Sequence, residues 1–94
     1  MIYLSKLTYI PVSKKEKIVA RLLTVPSDFT WDELVTALKH FGYKSESGDG
    51  SRVKFKNGKP EDMISLHKPH SPQIVKQYLL RQVIEKLQNA GYLP

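Results

Sequence analysis

Ninety-four residues can enclose one small hydrophobic core but not two, and the absence of cysteine excludes a disulfide framework, a thiolate nucleophile and any Cys-based metal centre. Fifteen Lys and Arg against nine Asp and Glu give a formal net charge of +6, which favours a polyanionic partner, either nucleic acid or an acidic protein. Apolar runs of only a few residues cannot span a bilayer, and the opening MIYLSKLTYIPV lacks the cationic start and long apolar centre of a signal peptide, so a soluble cytoplasmic protein with no membrane partner is expected.

Residues 1–12 mix apolar and polar positions without a sustained period and stop at Pro11, which predicts an N-terminal arm or a short edge strand. Ser13 is placed to cap a helix through KKEKIVARLLT, where Ile18, Val19, Leu22 and Leu23 recur at helical spacing and Pro26 marks the stop. Thr30 and Glu33 supply both halves of a capping box ahead of a stripe of Trp31, Leu34, Val35, Leu38 and Phe41, and Gly42 comes directly after, so a helix is predicted over 30–41. Three extended runs come next, Tyr43–Ser47, Ser51–Lys56 and Met63–His67, separated by GDG and NGKPED. Ser71 and Pro72 then read as a helix start, with Ile74, Val75, Tyr78, Leu79, Val83, Ile84 and Leu87 as its apolar stripe and Gly91 as its stop. No repeat or low-complexity linker interrupts the order, which predicts an α+β fold with a three-stranded antiparallel meander packed on helices, as one domain over 13–94.

Register follows from keeping the apolar set on one side, because a slip of one residue would turn all of it outward. Pairing Val53 with Leu66 and Phe55 with Ile64 buries all four against helices carrying Trp31, Leu34, Leu38, Val75, Leu79 and Val83. The same register sets Arg52 opposite His67 and Lys54 opposite Ser65, and leaves NGKPED as a loop that holds Pro60 out of the ladder. A tight turn at Asn57-Gly58 would instead pair Phe55 with Pro60 and Val53 with Asp62, against the pattern.

The outer face of this sheet carries Arg52, Lys54 and Lys56. From Lys44 to Lys59 there are five cations and two acids, whereas WDELV and PEDM are locally acidic. One reading is a solvated face whose lysines discourage edge pairing. The other is a phosphate-binding surface in which Arg52 offers a bidentate fork, Lys44, Lys54 and Lys56 add charge, and Ser51 and Ser65 donate to phosphate oxygens. His67 and His70 bracket Lys68 and Pro69. As metal ligands they are poorly supported, with no Cys, no helical i, i+4 spacing and the nearest acids, Glu61 and Asp62, in another loop, so no metal and no cofactor is expected. They suit acid–base chemistry, since RNA cleavage needs a base for the 2′-hydroxyl, an acid for the leaving oxygen and cations on the phosphate. His40 falls on the polar side of its helix.

The stretch from WDELVTALKHFGYKSESGDGSRVKF through ISLHKPHSPQIVKQYLLRQVIEKLQNAGYL resembles the HicA-type toxins of bacterial toxin–antitoxin systems. The shared features are a helix ending in a Gly-aromatic pair, a turn closing with Gly-Ser, a strand, a second strand ending in a His-containing segment, and a final helix ending in Ala-Gly, over roughly 30–93. The resemblance implies a double-stranded-RNA-binding-domain-like α-β-β-β-α core, metal-independent cleavage of mRNA and a HicB-type antitoxin partner. The family pattern places its catalytic histidine directly after Gly-Ser, whereas Gly50-Ser51 is followed here by Arg52, whose guanidinium stays charged and cannot act as a general base. Two functions stay open on these residues. One is an endoribonuclease with the base relocated to His67, the phosphate held by Arg52, Lys54 and Lys56, and His70 assisting the leaving group. The other is a non-catalytic member that binds RNA or only its antitoxin through the same face.

Overall fold

A computed structural model describes residues 13–94, and the arm or strand expected at 1–12 lies outside the described residues. Ser13 Oγ accepts the backbone N–H of Glu16, satisfying one of the unpaired donors at the start of α1 (Lys14–Leu23). Val19 and Leu22 are buried and Ile18 packs beside them, but Leu23, on the same expected stripe, is 41% exposed. Thr24 caps the helix, and Val25 then takes a φ of 50° to lead the chain into Pro26. Arg21 ties α1 to the segment beyond it, with a 2.8 Å ion pair to Asp28, a 3.5 Å approach to Glu33 and its guanidinium over the Phe29 ring.

The capping box of α2 (Trp31–His40) forms in both directions: Thr30 Oγ1 accepts the Glu33 N–H, and Glu33 Oε1 accepts the Thr30 N–H. Trp31, Leu34, Ala37 and Leu38 are buried, and Gly42 at φ 88° turns the chain out of the helix, a conformation that favours glycine. β1 (Lys44–Ser47), β2 (Arg52–Lys56) and β3 (Ile64–His67) then make an antiparallel sheet in the order β1-β2-β3. The expected register holds: Arg52 faces His67, Val53 faces Leu66, Lys54 faces Ser65 and Phe55 faces Ile64. Between β2 and β3 a single 3-10 turn, Pro60–Asp62, keeps Pro60 clear of the ladder.

That loop is fastened by a polar cluster. The Tyr43 hydroxyl donates to the Asp62 carbonyl at 2.8 Å, the Tyr92 hydroxyl donates to Asp62 Oδ2 at 2.9 Å, and Asn57 Nδ2 donates to the Tyr92 hydroxyl at 2.6 Å. Burial, and then the neighbouring Asp62 carboxylate, push the Tyr43 phenol up to about 12. The Tyr92 phenol is raised as well, chiefly by its hydrogen bond to Asp62.

The last helix departs from expectation. α3 is Gln77–Asn89, so it starts well after Ser71-Pro72, whose peptide bond is cis. Residues 73–75 are not helical, and their backbone groups are claimed by the entry to α2: the Trp31 N–H donates to the Gln73 carbonyl, the Val75 N–H donates to the Phe29 carbonyl, and Thr30 bridges Ile74. Val75 is buried, but from this bridge and not from a helix. The apolar stripe of α3 is consequently Leu80, Val83 and Leu87, with Leu79 and Ile84 half-buried, while Tyr78 is 56% exposed. Leu80 lies off the expected stripe, whose phase follows from a helix start at Ser71-Pro72, whereas α3 begins at Gln77.

One continuous core joins these elements, with Val53, Phe55, Ile64 and Leu66 buried against the helices and Trp31 meeting Phe55 at 5.6 Å between ring centroids. Each fully buried Leu or Phe contributes about 1.5–3 kcal/mol. The helices cover one face of the sheet, and the other faces water.

Candidate nucleic-acid interface

Alternation along β2 sends Val53 and Phe55 into the core and leaves Arg52, Lys54 and Lys56 on the open face. The ladders decide what stands beside them. On the β3 side Arg52 is opposite His67 and Lys54 opposite Ser65; on the β1 side Lys54 is opposite Glu46 and Lys56 opposite Lys44. Glu46 thereby joins this face from β1. Its carboxylate lies 3.1 Å from Lys56 Nζ, so one of the three cations of β2 is partly neutralised. Arg52 and Lys54 make no ion pair among the described residues, so the end of the face nearest His67 carries two cations outside any ion pair, with Asp49 close by.

At that end Arg52, Lys54 and His67 line a hollow of about 490 Å³ together with Gly48 and Asp49. The β1–β2 turn forms its wall. The Gly48 N–H donates to the Arg52 carbonyl at 2.7 Å, the Arg52 N–H donates to the Asp49 carbonyl at 3.2 Å, and Gly50 takes the φ of 62° that closes the turn. Ser51 Oγ lies 3.3 Å from His67 Nδ1. In the tautomer with its proton on Nδ1, His67 donates to Ser51 and keeps the Nε2 lone pair free to accept a proton.

The second histidine is elsewhere. His70 lines a separate hollow of about 330 Å³ with Ser47, Gly50, Ser51, Val53, Lys68, Pro69, Ser71 and Gln73. The lining of this hollow includes the core-facing Val53, so we call it the inner hollow, whereas His67 and Arg52 line the outer one. The structure thus brings together Arg52, Lys54, His67 and Ser51, sets Ser65, Lys56 and Lys44 farther along the same face, and separates His70 from them. A third hollow of about 370 Å³ at the opposite sheet end, lined by Lys56, Gly58, Lys59, Pro60 and Met63, contains no imidazole or hydroxyl. No three His, Asp or Glu residues gather at a metal-binding spacing among the described residues, and no described helix is long and apolar enough to cross a membrane.

Gly48 and Asp49 in the hollow, and Glu46 beside it on β1, are residues that the sequence pattern alone does not bring to this face. The GDG turn signalled the first two by closing directly onto Arg52. Glu46 was legible from the β1–β2 register, which the short turn fixes.

No curated protein and no solved structure matches the chain. The family model of the HicA toxin of bacterial toxin–antitoxin matches residues 31–91, from the first residue of α2 past the end of α3. The match takes in the whole sheet and both helices that sandwich it in sequence, an α-β-β-β-α order, and it covers well over half of the chain. The protein belongs to the HicA toxin family of bacterial toxin–antitoxin systems.

Proposed function

We propose that the chain is an endoribonuclease that cleaves mRNA on the outer sheet face, with residues 13–94 as the working domain and a HicB-type antitoxin as its inhibitor. One observation carries the reading: His67, held by Ser51, stands across the ladder from Arg52 in a single hollow with Lys54. His67 is therefore the cross-strand neighbour of the position the family pattern gives to histidine. Its Nε2 takes the proton of a ribose 2′-hydroxyl, the 2′-oxygen attacks the adjacent phosphorus, and the bond from phosphorus to the 5′-oxygen breaks. A 2′,3′-cyclic phosphate and a 5′-hydroxyl result, the leaving oxygen taking its proton from solvent because His70 lines the other hollow. Arg52 and Lys54 hold the non-bridging oxygens as negative charge develops on them, and Lys44, Lys56 and Ser65 guide the flanking phosphates.

The test is cleavage of an mRNA transcript in excess chelator. His67→Ala abolishes cleavage, His70→Ala leaves most of it, and Arg52→Ala lowers the rate without moving the pH profile. Cleavage that survives intact in His67→Ala overturns the assignment. The second reading, a binding-only member, is favoured by Arg52 standing where the family has histidine. It is the conclusion if the parent is silent and Arg52→His, which restores the family residue, cleaves.

A further inference from the structure

The inner hollow beside His70 takes no part in the cleavage just described. We propose that it is a second phosphate subsite, which receives the backbone phosphate of an RNA nucleotide next along the strand from the one held at Arg52 and His67. The inference rests on the RNA reading above and extends it to how the strand leaves the sheet.

Three observations carry it. The first is donor chemistry: Ser47, Ser51, Lys68, His70, Ser71 and Gln73 line one hollow, and no Asp or Glu does, in contrast to the outer hollow with Asp49. Hydroxyl, amide and ammonium donors without a competing acid suit an anion and oppose a cation. The second is availability. Apart from Ser51, none of these side chains makes a hydrogen bond or ion pair among the described residues, so their donors are open to a ligand. The third is placement. Ser51 belongs to this hollow and also contacts His67, and the Lys68 N–H donates to the Ser51 carbonyl at 2.8 Å. The loop after β3 is thereby fixed against the β1–β2 turn, and the two hollows sit at a set spacing on either side of Ser51. A single strand draped over this end of the sheet meets Arg52 and Lys54 first and Lys68 next. Val53 and Pro69 are the only larger apolar residues in the lining, too few to make it a base-stacking pocket.

The experiment compares the parent chain with Lys68→Ala and His70→Ala, using inorganic phosphate, a uridine dinucleotide and a longer uridine oligomer as probes. Affinity is measured across salt concentrations, and amide and imidazole NMR signals are followed at 52, 67, 70 and 71. The expected result is that the oligomer, more than the dinucleotide, moves the signals of His70 and Ser71. Lys68→Ala should weaken the oligomer about tenfold, keep the dinucleotide within about twofold, and lower the slope of log affinity against log salt by about 1. If the oligomer moves only the signals of Arg52 and His67, or if Lys68→Ala binds it as the parent does, the second subsite is wrong while the outer-face reading stands. If inorganic phosphate moves the signals at 70 and 71 but no RNA moves any of the four, the hollow is a free-anion site, which overturns this inference together with the RNA reading.

Discussion

Val25 shows what one residue can hide from a sequence reading. Pro26 announced the end of α1, but nothing announced that the turn before it would put a β-branched side chain at φ 50°, where an L-residue is about 1–2 kcal/mol worse off than in its ordinary conformations. Val25→Gly removes that penalty and Val25→Ala does not, and both lose the two Val25 methyls from the packing against the core, the glycine losing its Cβ besides. The glycine variant should therefore be more stable than the alanine variant by about 1 kcal/mol in urea denaturation, the reverse of their order inside a helix. Tyr43 was equally opaque, since it read as the first residue of a strand but is a 2%-exposed phenol bonded to the Asp62 carbonyl. Its folded pKa of about 12 lies above the ordinary 10, so the fold favours the neutral phenol. The stability linked to it is fully present below pH 10 and is lost as pH rises toward 12. Tyr43→Phe should cost about 1 kcal/mol at neutral pH for the lost hydrogen bond and should flatten the alkaline fall in the urea midpoint. An unchanged alkaline slope in that variant would assign the fall to other groups. The Ser51–His67 contact belongs with these cases, because it depends on how the turn and the exit of β3 meet in space and not on any local pattern.

At the scale of elements, what was legible was what has a period or a cap. The alternation of Val53 and Phe55 against Ile64 and Leu66 left one register that buried all four, and Arg52 came to face His67 as a consequence. The Thr30–Glu33 box fixed the start of α2 for the same reason, two donors with two matching acceptors. The start of α3 is not legible locally, because Ser71-Pro72 carries the chemistry of a helix N-terminus while residues 73–75 are held out of the helix by long-range backbone bonds to 29–31. The helix begins instead after Lys76, which makes no side-chain cap bond and puts a cation at the positive end of the helix dipole. Lys76→Asp, which supplies an acceptor and reverses the charge, should stabilise the fold by about 1 kcal/mol, read as a higher urea midpoint with unchanged slope. The β1–β2 ladder makes a prediction about binding. Glu46 pairs with Lys56 and sits opposite Lys54, so Glu46→Gln should strengthen RNA binding and steepen its salt dependence. Stability should hardly change, because the pair is solvent-exposed and such pairs are worth about 0–1 kcal/mol. RNA affinity equal to that of the parent would mean that the strand does not pass over β1.

For the molecule as a whole, the +6 net charge acts at a distance that no single contact does. Helices occupy the inner face of the sheet, so the open face of Arg52, Lys54 and His67 is where an inhibitor can cover the proposed chemistry directly. A HicB-type antitoxin that does so must offer an acidic surface to this end of the sheet, and two consequences separate that mode from docking on the helices. Association should be fast at low salt and slow steeply as salt rises, while dissociation changes much less, because complementary charge acts mainly on the encounter. Hydrogen exchange or crosslinking of the complex should protect residues 48–54 and 64–68 and leave the outer surface of α3 around Tyr78 as it was. Lys54→Glu should then weaken RNA and antitoxin together, since both need the same charge. If the variant loses RNA but keeps the antitoxin, with Arg52 and His67 still open in the complex, inhibition works from another face and the sheet is a nucleic-acid surface alone.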